Sequence, residues 1–214
     1  MDRSPNGTRS TYDRIADHFA KTREYAWPEV ESFLENQEGA VGLDLGCGNG
    51  RHAELLAARC DHVVGLDISG GLLATARERA RERGFDVELV QADAARLPVA
   101  TGSVDLAVYV ATLHHLPNRE ARRRSLDELA RVLSPDGTAL VSAWSTAHDR
   151  FDREVGFDTT VDWTLPGGET VPRFYHVYSP AEFDEDLAAS DLGIVSSRVS
   201  SGNCYATVTE QKRP

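Results

Sequence analysis

A glycine-rich loop at residues 44–50 (DLGCGNG) constrains this chain more than any other feature. It follows an apolar run at residues 40–45, which predicts a buried strand, and precedes a helix expected at residues 51–58. Glycines at a strand–helix turn allow the backbone to bend sharply and to approach a ligand closely. The pyrophosphate of a dinucleotide would suit such a helix N-terminus, so the loop predicts a nucleotide-type cofactor.

Strand and helix signals alternate along most of the remaining chain. Strands are predicted at residues 61–67, 87–90, 104–110 and 138–143, and helices at residues 69–83, 118–133 and 180–190. Two last strands, at residues 194–200 and 204–210, are expected to form an antiparallel edge. This alternation with short connections predicts an α/β fold, a doubly wound Rossmann-like sheet of mostly parallel strands with helices on both faces.

Two further segments flank the sheet strands. Residues 1–39 are predicted to form an N-terminal helical lid over the active site, with helices at residues 11–23 and 28–36. Residues 144–178 hold glycines, prolines and scattered aromatic residues, and we interpret them as a long irregular insertion on the substrate side. With 214 residues and 41% hydrophobic content, the whole chain (residues 1–214) suits a single domain.

The composition is acidic and contains little lysine. The net charge is −11, and Lys21 and Lys212 are the only lysines among 23 basic residues, which is typical of a halophilic protein. Acidity argues against nucleic-acid binding, because phosphate neutralisation dominates such binding. Concentrated salt screens that effect, with a Debye length of about 3 Å at 1 M, so an RNA substrate remains open.

Other sequence features indicate a cytoplasmic protein with no metal site of its own. No apolar run approaches the roughly 18 residues of a membrane span, and residues 1–10 show no signal peptide. Cys47, Cys60 and Cys204 are widely spaced and form neither a disulfide framework nor a metal-binding pair.

Two acidic residues narrow the choice of cofactor. Asp67 ends the second predicted strand, where its carboxylate can accept hydrogen bonds from both ribose hydroxyls. Asp93, with Ala94, follows the third strand and can accept from an adenine amino group. An NAD site needs only the glycine loop and an acid at the position of Asp67. The additional acid Asp93, after the third strand, indicates S-adenosylmethionine (SAM) instead.

These three features resemble the class I SAM-dependent methyltransferases over roughly residues 40–143 and the last two strands. The resemblance implies strand order 3-2-1-4-5-7-6, with SAM, and its product S-adenosyl-L-homocysteine, bound across the C-terminal strand ends. It also implies the cofactor-binding residues. They are Asp44 and Gly46 near the methionine part, Gly48 and Gly50 in the loop, Asp67 and Ile68 at the ribose, Asp93 and Ala94 at the adenine, and Val110 near the methyl donor.

The acceptor is indicated by the residues expected around the methyl group. Residues 110–116 (VATLHHL) lack the motif typical of amine methylation, and no paired cysteines suit attack on a pyrimidine ring. A carboxylate acceptor is already ionised and needs a positioned cation, for which arginine offers a two-pronged fork. The cationic and aromatic candidates are Arg23, His115, Trp144, Arg173, Tyr175 and His176.

A closer resemblance lies in F-x-x-T-R at residues 19–23, W-P at 27–28, A-W at 143–144 and R-F-Y-H-x-Y at 173–178. These pieces look like the eukaryotic tRNA wobble-uridine methyltransferases, which esterify 5-carboxymethyluridine. The resemblance implies that Arg23, His115, Trp144 and Arg173 are catalytic and face the uridine, with Tyr175 and His176 also binding substrate. One departure is that the segment between Trp144 and Arg173 is shorter and acidic. This leaves Arg119 and residues 122–124 as basic candidates for gripping tRNA.

The same resemblance implies a heterodimer. That family works with a small zinc-binding activator protein, which would pair here with the edge strand at residues 86–91 and carry the zinc itself. Three other interpretations stay open: a small-molecule SAM-dependent methyltransferase, an NAD-dependent oxidoreductase and a non-catalytic SAM-binding scaffold.

Overall fold

A seven-stranded sheet forms the centre of the computed structural model, which describes residues 2–211. Its order is β3-β2-β1-β4-β5-β9-β8. Strands β1 to β5 pair in parallel, and β9 runs antiparallel to both β5 and β8. The sheet strands are β1 (Gly39–Leu45), β2 (Cys60–Asp67), β3 (Glu88–Gln91), β4 (Val104–Val110), β5 (Leu133–Trp144), β8 (Leu192–Ser200) and β9 (Asn203–Glu210). Counted without β6 and β7, which lie elsewhere, this order is 3-2-1-4-5-7-6 and confirms the predicted sheet.

Helices follow the strands as a doubly wound fold requires. They are α1 (Pro5–Lys21), α2 (Pro28–Leu34), α3 (Ala53–Ala57), α4 (Gly70–Arg83), α5 (Arg119–Val132) and α6 (Pro180–Ala188). Side-chain caps fix several of their starts: Ser69 Oγ accepts from Leu72 N, and Asn118 Oδ1 accepts from Ala121 N. Among the described residues, no helix is both long and apolar enough to cross a lipid bilayer.

Helix α1 begins six residues earlier than the predicted residue 11. Ser4 caps it, accepting from Gly7 N at 3.2 Å, and Pro5 occupies the first turn, where a missing N–H costs nothing. The buried side chains Tyr12 and Ile15 pack with Leu72 of α4 in one apolar cluster. Helix α1 therefore lies beside the C-terminal strand ends, next to α4.

The interpretation of residues 144–178 as irregular is wrong. They contain an antiparallel hairpin of β6 (Phe157–Thr164) and β7 (Thr170–Val177), a sheet of its own. Side chains along β6 alternate between half-buried and exposed, which is the period of a strand. Gly167 and Gly168 supply the positive φ values of the turn, 105° and 89°.

Two other bounds also differ from prediction. Strand β5 starts at Leu133, because Leu133 pairs with Val104 before a register shift restores pairing at Thr138. The edge strand β3 is Glu88–Gln91, one residue later than the predicted 87–90 and shorter than the predicted partner edge at 86–91, since its register with β2 begins at Glu88.

Candidate active site

The glycine loop is bound to the neighbouring strand by backbone hydrogen bonds. Gly46 N and Cys47 N donate to Leu66 O at 2.7 and 2.9 Å, and Gly48 N donates to Asp67 Oδ2 at 2.9 Å. Gly46 has φ +76°, and a Cβ there would overlap the side chain of Thr112. A side chain at this position is thus excluded both by conformation and by space.

A cleft opens to solvent beside the loop, at the C-terminal ends of β1, β2 and β4. Most of the predicted cofactor residues line it: Gly46, Gly48, Asp67, Ile68, Asp93, Ala94 and Val110. Asp44 and Gly50 are not in its lining. Asp44 is buried behind the loop, and Gly50 packs against α4, where a Cβ would lie 3.2 Å from Ala76 Cβ.

The two acids of the cleft match the hydroxyl and amino groups of an adenosine. Asp67 Oδ1 accepts from Ser69 N at 2.8 Å, and each oxygen retains a further lone pair. Burial raises the pKa of Asp67 to about 6, against the opposing effect of three backbone hydrogen bonds. Asp93 Oδ1 accepts from Ala95 N at 2.9 Å. The loop, both carboxylates and the apolar side chains between them fit SAM, which supplies an electrophilic methyl group when bound.

A hydrogen-bonded pair closes one end of the cleft, where Tyr12 and His115 both belong to the lining. The His115 Nδ1 atom lies 2.9 Å from Phe174 O. Because a carbonyl only accepts, Nδ1 carries the hydrogen, and Nε2 accepts from the Tyr12 hydroxyl at 2.8 Å. Burial lowers the pKa of His115 to about 3, with Arg173 contributing, so this imidazole is neutral.

Two arginines meet around Trp163 beside that pair. The guanidinium carbons of Arg173 and Arg23 lie 4.8 and 5.6 Å from its ring centroid. Arg173 is 7% exposed, and its Nε is buried without a hydrogen-bond partner. Burial lowers the pKa of Arg23, and the nearby positive charge of Arg173 lowers it further. Within residues 2–211, neither guanidinium has a carboxylate within 4.0 Å.

The remaining predicted acceptor residues fall into two groups. Tyr175 packs on His115 and on Trp144, with ring centroids 4.4 and 5.2 Å away, so it joins Trp144 to the cluster. His176 points elsewhere, since its two ring nitrogens lie 2.8 Å from Asp158 and 2.9 Å from Glu182. The structure therefore brings Arg23, His115, Trp144, Arg173 and Tyr175 together and separates His176 from them.

Sequence reasoning missed Tyr12 and Trp163 as members of this cluster. Tyr12, Ile15, Ala16 and Phe19 stand at helical spacing and mark the inward face of α1, a signal that the sequence contains. Trp163 alternates with polar neighbours in β6, but no local pattern shows which side of a hairpin faces the site.

Comparisons with known proteins identify methyltransferases as the relatives of this chain. A family model described as a methyltransferase domain matches residues 43–141. A putative methyltransferase from Encephalitozoon cuniculi is 34% identical over 175 residues, covering 78% of each chain. Two proteins named tRNA (carboxymethyluridine(34)-5-O)-methyltransferase are similar as well. The Arabidopsis thaliana protein is 37% identical over 64% of this chain, and the Saccharomyces cerevisiae protein is 32% identical over 76%. This chain spans only 32% and 58% of their lengths.

Solved structures share the fold. The S-adenosylhomocysteine complex of DhpI has a TM-score of 0.73 at 22% identity over 98% of both chains. A putative methyltransferase in complex with the Haloferax volcanii Trm112 methyltransferase activator has a TM-score of 0.70 at 16% identity, covering 97% of this chain and 99% of that one. With the glycine loop, the two acids and the sheet order, these matches establish that this chain belongs to the class I SAM-dependent methyltransferases.

Proposed function

We propose that this enzyme transfers the methyl group to a carboxylate, that of 5-carboxymethyluridine at the tRNA wobble position. The observation that carries the proposal is Arg173, a buried guanidinium without an anionic partner in the described chain. An unpaired buried cation is costly, by several kcal/mol. A carboxylate ligand beside Arg173 and Arg23 would remove that cost and would be aligned by their fork-shaped donors.

The neutral state of His115 fits an acceptor that is already ionised. A carboxylate needs no general base, so the imidazole is free to hold Tyr12 and the β7 backbone in place. Methyl transfer then depends mainly on alignment of the acceptor oxygen and on exclusion of water. In this proposal the arginines orient the carboxylate, and the rings around them exclude water.

The choice of tRNA rests on the names of the relatives from Arabidopsis and yeast, whose full lengths this chain does not span. The direct test incubates the purified protein, with its activator, with SAM and tRNA bearing 5-carboxymethyluridine. Mass spectrometry of the digested nucleosides should show the methyl ester at the wobble position. If S-adenosylhomocysteine binds but no ester forms, the tRNA assignment is wrong.

We also propose a heterodimer with a small zinc-binding activator along β3. The strand pairs with β2 on one side, and no other described strand pairs with its outer side. Such an edge invites pairing with another chain. The activator complex among the structural relatives supports this choice. Co-expression tests it: if the chain alone is monodisperse and fully active, an obligatory activator is ruled out.

A small-molecule carboxylate is the second candidate acceptor, favoured by the net charge of −11, which opposes binding to RNA. Comparing the rate of methyl transfer to a panel of small carboxylic acids with the rate of transfer to tRNA distinguishes the two acceptors. The same acidic, lysine-poor composition supports a cytoplasm of high salt concentration as the setting in which the enzyme works.

A further inference from the structure

A continuous line of aromatic rings leads from the cleft to the surface. His115 lines the cleft, and its ring centroid lies 4.4 Å from that of Tyr175. The next ring centroids follow at similar spacing: 5.2 Å from Tyr175 to Trp144, 4.6 Å from Trp144 to Phe151, and 5.3 Å from Phe151 to Phe157. We refer to these five residues as the aromatic track. Its outer half consists of Trp144 at the end of β5, Phe151 in the connection between β5 and β6, and Phe157 at the start of β6.

Two exposed arginines cover the outer half of the track. The guanidinium carbon of Arg150 lies 5.8 Å from the Trp144 ring centroid, and that of Arg153 lies 4.4 Å from the Phe157 centroid. Neither forms an ion pair with the described residues. Their guanidinium groups are thus held over ring faces while remaining accessible from solvent.

The other basic candidates are bound to acids within the protein. Arg119 and Arg123 both contact the buried Asp186, at 2.6 and 2.8 Å, and Arg122 is 3.6 Å from Glu182. These guanidinium groups of helix α5 already have carboxylate partners. They are therefore poor candidates for the tRNA contacts predicted from the sequence. Arg150 and Arg153 are the better candidates for contacts outside the chain.

We propose that the aromatic track with Arg150 and Arg153 binds unpaired nucleobases next to the modified uridine of an RNA loop. This inference rests on the proposed function, since the track starts at the proposed acceptor site. Unpaired bases are recognised by stacking on aromatic rings and on arginine planes, and both are present here. The track extends outward from His115, so a nucleotide in the site would place its neighbours along it.

The charge around the track indicates stacking rather than a phosphate clamp. Asp149, Asp152 and Glu154 alternate with the two arginines along the same connection, so the surface has no excess of positive charge. Two arginine–phosphate contacts to a single strand would give a log–log salt slope of about −1.4 at most, from about −0.7 per phosphate. Binding that depends on stacking should therefore tolerate concentrated salt.

The experiment measures the Kd of a fluorescent anticodon stem-loop RNA by anisotropy, with the full chain and its activator. Loss of one stacking contact should raise Kd about 5- to 150-fold in Arg150→Ala and in Phe151→Ala. Arg150→Lys keeps the positive charge but loses the planar guanidinium group, so this variant should retain little of the affinity for RNA. Arg77→Ala, at an exposed arginine of α4, is the matched control and should bind RNA like the wild type. Unchanged affinity for S-adenosylhomocysteine reports that each variant is folded.

The outcomes separate this inference from the proposed function. If the wild type forms the ester and the Arg150→Ala and Phe151→Ala variants bind RNA normally, the proposed surface is wrong. Full affinity in Arg150→Lys would contradict stacking on its guanidinium plane. If the wild type binds the RNA through these residues but forms no ester, the surface stands and the proposed function falls.

Discussion

The Tyr12 hydroxyl donates to His115 Nε2 at 2.8 Å, joining helix α1 to a residue that is 103 positions later in the chain. The bond fixes the ring in one tautomer, because Nδ1 is committed to Phe174 O. A residue of the N-terminal segment thereby completes the wall of the proposed acceptor site.

Replacing Tyr12 with phenylalanine should weaken both folding and catalysis. The substitution leaves a buried imidazole nitrogen without its donor, at a cost of about 1–3 kcal/mol. For a chain of this size, Tm should fall by about 2–4 °C for each kcal/mol. Thermal unfolding and kcat/KM report the two effects. Tyr25→Phe, at a side chain 81% exposed, is the control, and equal Tm values for both variants would refute this role for Tyr12.

The Arg173→Ala variant should lose methyl transfer while keeping the cofactor. Removal of a charge-assisted hydrogen bond costs about 1.5–3 kcal/mol, so kcat/KM should fall about 10- to 150-fold. Arg173→Lys retains a charge without the fork and should recover only part of the rate. Calorimetry with S-adenosylhomocysteine provides the check. An equal loss of cofactor affinity would show that Arg173 does not serve the acceptor.

Gly46→Ala should abolish cofactor binding and destabilise the fold. The added Cβ would overlap the Thr112 side chain in addition to the strain at φ +76°. Gly84→Ala is the matched control, because φ is +71° there and nothing lies within 4 Å of a Cβ. The control should show only the conformational cost, about 1–2 kcal/mol, and chemical denaturation of both variants measures the difference. If both variants lose the same free energy of unfolding, a steric role for Thr112 is contradicted.

Cofactor affinity should depend on pH through Asp67. Burial raises its pKa from 3.8 to about 6, so its contribution to folding is full below pH 3.8 and is lost as the pH rises through about 6. The ribose hydroxyls donate to the ionised carboxylate, so cofactor affinity should rise with pH, whereas the contribution of Asp67 to folding falls. Affinity for S-adenosylhomocysteine should be constant above about pH 7 and fall up to tenfold per unit below about pH 6. Calorimetry across this range tests it, and Asp67→Asn should bind weakly with no such transition.

Salt should stabilise the protein. With a net charge of −11, repulsion among carboxylates weakens as the Debye length falls from about 10 Å at 0.1 M to about 3 Å at 1 M. Thermal unfolding in rising KCl should therefore give a rising Tm. Exchange of the exposed Glu31 and Glu38 for lysine should reduce that dependence. A Tm insensitive to KCl would contradict the halophilic interpretation.

The sheet and the cofactor loop could be predicted because their signals are local. The loop at residues 44–50 stands at the end of a buried strand, Asp67 ends the next strand, and Asp93 follows the third. Strand order came from the family resemblance, since spacing alone does not set which strands are neighbours. The start of α1 was also encoded locally, in the Ser4 cap and Pro5, but an apolar pattern beginning later concealed it.

The cluster proposed as the acceptor site was harder to predict, because it is built from distant segments. Trp163 approaches Arg173 when β6 pairs with β7, and Tyr12 joins them only after α1 has packed against this hairpin. His176 shares the strand of Arg173 but is an odd number of residues away, so it lies on the other face. Similarly, Arg119 and Arg123 look like free cations until α6 brings Asp186 between them.

Helix α1 has a kinetic consequence, because it serves both halves of the site. Tyr12 and Phe19 line the cofactor cleft, and Asp13 Oδ1 accepts from Ser69 Oγ and Gly71 N at the start of α4. Arg23 lies just past the end of the same helix. A cofactor that leaves by lifting α1 would dismantle the proposed acceptor site as well. We therefore expect an ordered cycle, in which SAM enters first, the methylated acceptor dissociates next and S-adenosylhomocysteine departs last.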